Sequence, residues 1–180
     1  MGEKLALLVI DMQNQWPDLA AAILPELNAT IRQCRQKQVP VIFTQHGHRN
    51  FDMDGGLLAE FWGRDNSIRY GSEQWKLVSG LDKEEVEPVV AKTRYDAFHG
   101  TNLLHILRAL KVETVVISGL LTNLCCETTA RSAFCNDFKV LFLSNATRTY
   151  EDAHHKATLA NIAYGFGRVL SAEEFRQSLA

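Results

Sequence analysis

The 180 residues contain no C-x-x-C pair, no dense basic run and no apolar stretch near the ~18 residues of a membrane span. Each absence removes a class of function. Without C-x-x-C spacing, the commonest zinc-binding and thioredoxin-like arrangements are excluded. The most basic stretch, Arg32 to Lys37, is broken by Gln and Cys, and the formal net charge is -2. Nucleic acids and anionic membranes require concentrated positive charge, so neither is expected as a partner. The first apolar run, Leu5 to Ile10, is cut short by Asp11, which is too short for a secretory leader. Cys34, Cys125, Cys126 and Cys135 therefore read as reduced thiols, and the expected compartment is cytoplasmic.

With 46% hydrophobic and 22% charged residues, the composition is that of a water-soluble chain able to bury a core without disulfides. One domain over residues 1–180 is expected. Apolar runs of strand length alternate with helical periodicity. Leu5–Ile10, Val39–Thr44, Pro88–Lys92, Thr114–Gly119, Lys139–Leu143 and Arg168–Leu170 read as strands. Between them, Asp18 is placed to cap a helix with Leu24, Leu27, Ile31 and Cys34 on one stripe. Thr101 is placed to cap another, a third runs from about Leu124 to Cys135, and a fourth from Asp152 to Tyr164. Ser171 and Glu174 have capping-box spacing for the last. This alternation predicts an α/β fold, a mostly parallel sheet with helices on both faces. Periodicity fails from Gln45 to about Val86, apart from a short helix near Leu57–Trp62, and so long a loop is expected to wall a pocket.

Ligands of open parallel sheets sit beyond the carboxyl ends of the strands. Three reactive side chains fall there: Asp11 after the first strand, Lys92 at the end of the third, and Cys125 just past the fourth. A thiol is mostly protonated at neutral pH. A helix N-terminus and a neighbouring ammonium favour the thiolate, and a carboxylate can accept the proton. The amides of the turn Gly119 to Cys125 can hold an oxyanion.

Three strings carry a resemblance to a known family. They are Ala6-Leu7-Leu8-Val9-Ile10-Asp11-Met12-Gln13-Asn14, Val90-Ala91-Lys92-Thr93-Arg94-Tyr95-Asp96-Ala97-Phe98, and Gly119-Leu120-Leu121-Thr122-Asn123-Leu124-Cys125-Cys126-Glu127-Thr128-Thr129-Ala130. In this order they resemble the isochorismatase-like cysteine hydrolases. The resemblance implies a three-layer α/β/α sandwich around a six-stranded, mostly parallel sheet. It implies an Asp–Lys–Cys triad on Asp11, Lys92 and Cys125, a cis peptide at Leu120–Leu121, and an oxyanion hole from the amides of Leu121 and Cys125. Cys126, adjacent on the helix, would then point elsewhere.

Within the family, Cys125 points to the amidase branch, because isochorismatases proper lack the cysteine. The implied function is hydrolysis of a small amide, ureido or carbamoyl compound through a thioester. The implied partners are that small molecule and further copies of the chain in a homo-oligomer. Nicotinamidases carry an Asp-x-His metal motif where this chain has His46-Gly47-His48. That departure speaks against nicotinamidase activity. His46 and His48 are expected to line the pocket without zinc or another metal, and no cofactor is expected. Trp16 matches an aromatic pocket position, and Trp62, Phe98 and Tyr150 are candidates to join it. Arg94 is a candidate for a substrate carboxylate, while His154 and His155 read as surface residues. The alternatives are a cysteine-independent vinyl-ether hydrolase, or a non-catalytic or thiol-redox interaction protein on the same fold.

Overall fold

Residues 3–66 and 68–179 are described in a computed structural model. The unbroken apolarity of β1 (Leu5–Ile10) is explained by burial on both sides. Leu7 and Val9 join one core, whereas Ala6, Leu8 and Ile10 join the other. Five further strands complete the sheet: β2 (Val41–His46), β3 (Val89–Lys92), β4 (Thr114–Leu120), β5 (Lys139–Arg148) and β6 (Arg168–Leu170). Their order is β3-β2-β1-β4-β5-β6, and all pairings are parallel. Chain order reverses between β1 and β4, which opens a crevice at their carboxyl ends.

Helices cover both faces. The first core packs α1 (Pro17–Gln36) and α6 (Ala172–Ser178) through Ile23, Leu27, Ile31 and Phe175. The second packs α3 (Leu103–Ala109), α4 (Glu127–Cys135) and α5 (Asp152–Gly165) through Leu103, Leu107, Ala130 and Ile162. The short α2 (Gly56–Trp62) lies in the long segment between β2 and β3.

Several boundaries differ from expectation for local reasons. Helix α1 begins at Pro17, whose missing N–H suits a first turn, so Asp18 lies inside the helix and Trp16 is the cap position. The cap position of α3 is Asn102, which makes no side-chain cap bond, while Thr101, one residue earlier, accepts from the Leu103 amide at 3.1 Å. Leu110 falls past the end of that helix and is exposed. The segment Thr122–Cys126 is a π-helical turn, so α4 proper starts only at Glu127. The capping box at Ser171 and Glu174 forms in both directions. Strand β5 continues to Arg148, five residues beyond Leu143, past a register shift against β4.

One glycine is dictated by close approach. Gly119 has φ 106°, and a Cβ there would lie 2.0 Å from the Ile10 carbonyl oxygen. Only glycine lets β4 run this close to β1 where the crevice opens.

Candidate active site

Asp11 leaves β1 in the left-handed region, with φ 46°. Its amide donates to Thr44 Oγ1 at 3.2 Å, and the Thr44 hydroxyl donates to Asp11 Oδ1 at 2.6 Å. Lys92 ends the edge strand β3 and extends over the end of β2 toward β1. Its ammonium stands 2.6 Å from Asp11 Oδ2. It donates along better-aligned directions to the Arg94 carbonyl at 2.9 Å and to Cys125 Sγ at 3.4 Å. Oδ2 is held by charge rather than by an aligned hydrogen bond, so it keeps a lone pair free. Three distant segments thus place a carboxylate, an ammonium and a sulfur together.

Burial shapes the charges. Desolvation alone would lower the Lys92 pKa, but the Asp11 carboxylate and the Cys125 sulfur outweigh it and raise it. Burial pushes the Cys125 thiol up to about 12, with Lys92 pulling it down and Asp11 adding to the rise. Burial in the π-helical turn thus works against the thiolate, while Lys92 works for it.

The turn before the sulfur contains a cis peptide at Leu120–Leu121, as the resemblance implied. The Leu121 carbonyl accepts from the amides of Leu124 and Cys126, each at 3.2 Å. Cys126 is fully buried against β4, its sulfur 3.9 Å from the Ser118 carbonyl oxygen. Cys34 is core, and Cys135 is exposed.

Cys125 and Leu121 lie on the wall of a cavity of about 480 Å³. Trp16, Trp62, Tyr150 and His46 line it too. The long segment after β2 does form a wall, through Leu58, Trp62 and Ile68. Three other candidates are placed elsewhere. Phe98 stacks on Phe138 within the core, at 6.1 Å between ring centroids. Arg94 donates to the carbonyls of Asp54 and Thr93, at 2.7 and 2.8 Å, and so braces the loop. His48 is buried edge-on against His46, 5.1 Å between centroids, with Asp54 3.4 Å from its Nδ1.

The two imidazoles also bear on a metal. Burial holds the His46 pKa down to about 3, helped by the Lys92 charge and opposed by Asp11, so the ring is neutral. Neutral nitrogens can ligate, but among the described residues no three His, Cys, Asp or Glu side chains group to hold an ion. His46 Nδ1, both His48 nitrogens and Asp54 Oδ1 are nonetheless buried without an aligned hydrogen bond, with Asp54 3.4 Å from His48 Nδ1.

Some lining residues were not anticipated. Tyr95 lies within the Lys92 string and accepts from Trp62 Nε1 at 2.6 Å. Thr149 and Glu151 belong to the loop beyond β5, and His154 to the first turn of α5. Ending that strand at Leu143 hid the first two, because Ser144-Asn145-Ala146-Thr147 carries little apolar signal, whereas His154 was expected at the surface. His155, expected at the surface, is half-buried and bonds Thr122 at 2.9 Å. Asp96 caps the Phe98 amide at 2.8 Å and accepts from Ser132 at 2.9 Å, so it ties this loop to α4.

Comparison with known proteins agrees with this geometry. The Isochorismatase domain family model matches residues 5–174. Nicotinamidase 3 of Arabidopsis thaliana is 40% identical over 97% of this chain and 88% of its own length. Isochorismatase of Bacillus subtilis is 35% identical over 90% of this chain, which spans only 53% of that protein. The crystal structure of a cysteine hydrolase from Pseudomonas syringae pv. phaseolicola superposes with a TM-score of 0.92 at 28% identity, covering 98% of this chain and 92% of the other. The chain belongs to the isochorismatase domain family.

Proposed function

We propose that this chain hydrolyses a small, neutral, planar amide by covalent catalysis at Cys125. One observation carries the reading: Lys92 Nζ is 2.6 Å from Asp11 and 3.4 Å from Cys125, beside a cavity of about 480 Å³. As the sulfur attacks the carbonyl carbon, the thiol proton passes to Asp11. Lys92 stabilises the negative charge shared between sulfur and carboxylate. The amides of Leu121 and Cys125 hold the oxyanion, a contribution of about 2.7–4 kcal/mol per donor in such sites. Collapse breaks the C–N bond, and Asp11 returns the proton to the departing ammonia or amine. Water, giving a proton to Asp11, then cleaves the thioester and frees the acid. No step runs through a metal.

The lining supports a neutral substrate. Aromatic and aliphatic walls are joined by the polar Gln15, Asn123 and Thr149 and by two imidazoles, and the only carboxylate is Glu151, with no Lys or Arg among the described lining residues. A substrate carboxylate would meet no fixed cation on these walls, and burying a charge without one costs several kcal/mol. The likeness to Nicotinamidase 3 puts nicotinamide first among the amides to test, against the expectation drawn from His46-Gly47-His48.

Two coarser features complete the proposal. A cytoplasmic setting is supported by four free cysteines, and among the described residues no helix is long and apolar enough to cross a membrane. A homo-oligomer is supported by Met53, Leu57 and Phe61, spaced four apart and 85%, 79% and 79% exposed.

The test is ammonia release from a panel of nicotinamide, benzamide and ureido compounds. Wild type should hydrolyse at least one neutral amide, and Cys125→Ala none. A cysteine-independent ether hydrolase would keep its activity in Cys125→Ala.

A further inference from the structure

Strand β2 is buried at all six positions, and Thr44 sits in its middle, fully enclosed. An apolar residue is the default there, because a buried hydroxyl costs about 1–3 kcal/mol unless it is bonded. Both hydrogen bonds recorded for this hydroxyl go to one residue. Its oxygen accepts the Asp11 amide at 3.2 Å, and its only hydrogen goes to Asp11 Oδ1 at 2.6 Å. The pair of bonds grips Asp11 by backbone and side chain together. The carboxylate cannot rotate without losing the shorter one.

The consequence is a division between the two carboxylate oxygens. Oδ1 is committed to Thr44, whereas Oδ2 faces the Lys92 ammonium and keeps a lone pair free. Resting on the cysteine mechanism above, we propose that Thr44 is a positioning residue that presents Asp11 Oδ2 as the base for Cys125. In the step it serves, the S–H bond breaks, the proton joins Oδ2 and sulfur forms its bond to the electrophilic carbon. Thr44 touches none of the reacting atoms and acts wholly through Asp11.

Iodoacetamide tests this without a known substrate, since it is a small amide whose C–I bond breaks as sulfur bonds carbon. Saturable alkylation of Cys125 at pH 7.5 is followed by peptide mass spectrometry, with Cys125→Ala as the blank. Thr44→Val should lower the limiting rate about tenfold and leave the half-saturating concentration unchanged. Thr44→Ser should restore the rate to within about twofold, because it returns the hydroxyl. In an Asp11→Asn background, Thr44→Val should have no further effect. Thr44→Ala is read in the same way if the valine variant does not fold. Wild-type alkylation of Thr44→Val, or equal slowing in Thr44→Ser, would overturn the role of the hydroxyl. Wild-type alkylation of Asp11→Asn would instead remove Asp11 as the base and bring down the mechanism itself.

Discussion

Lys92 and Asp11 form an ion pair of 2.6 Å with both side chains wholly out of solvent. A charge in that position survives only with its partner, so the two residues stabilise the fold and the chemistry together.

Lys92→Met should therefore do more than stop turnover. Breaking a buried pair from one side costs about 3–5 kcal/mol. Urea unfolding at pH 7.5 should show a loss of that size. The double variant Asp11→Asn/Lys92→Met should regain most of the stability and none of the activity. A loss below about 1 kcal/mol in the single variant would mean that water reaches the pair.

The vicinal cysteines should separate cleanly. Cys125→Ala should reduce amide turnover by more than about 10³-fold, since the nucleophile is gone. Cys126→Ala should keep turnover within a few-fold while lowering the unfolding midpoint, because its sulfur is fully buried packing against β4. Loss of turnover in both, with both folded, would contradict a single nucleophile.

The high thiol pKa sets the direction of a pH effect. With Cys125 pushed up to about 12, the thiolate fraction at neutral pH is small and still growing well above pH 8. With Asp11 as the base, alkylation by iodoacetamide should change less than about threefold between pH 7 and 9.5 in the wild type, whereas in Asp11→Asn, where only free thiolate reacts, it should climb by up to about tenfold per pH unit. An equally steep climb in the wild type would mean that Asp11 does not take the proton.

Gly119→Ala should fail at the crevice. The added Cβ meets the Ile10 backbone at 2.0 Å, in a conformation that L-residues avoid. Overpacking and the positive φ together should cost about 3–5 kcal/mol, read by thermal unfolding.

Much of this site could be read from the sequence, and the reason is physical. Asp11 and Cys125 follow buried strands whose continuous apolarity marks them, and a parallel sheet brings such ends together. Lys92 was readable in the same way, although its reach across β2 was not. The pull of burial against the Cys125 thiolate was not legible, because burial is a property of the packed turn rather than of spacing. Glu151 was missed because β5 continues as polar Ser144-Asn145-Ala146-Thr147, where pairing with β4 outweighs a weak pattern, and His154 was taken for a surface residue because nothing in spacing shows that the start of α5 faces the cavity. Phe98 and Arg94 were drawn to the pocket by proximity to Lys92 in sequence, yet in the fold they serve the core and the loop.

The most direct measurement is the intact mass of the protein, acid-quenched during turnover of a hydrolysed amide. The account predicts an added mass equal to the acyl group, mapped to Cys125 and absent in Cys125→Ala. Undiminished hydrolysis by Cys125→Ala, with no acyl adduct on the wild-type protein, would contradict it.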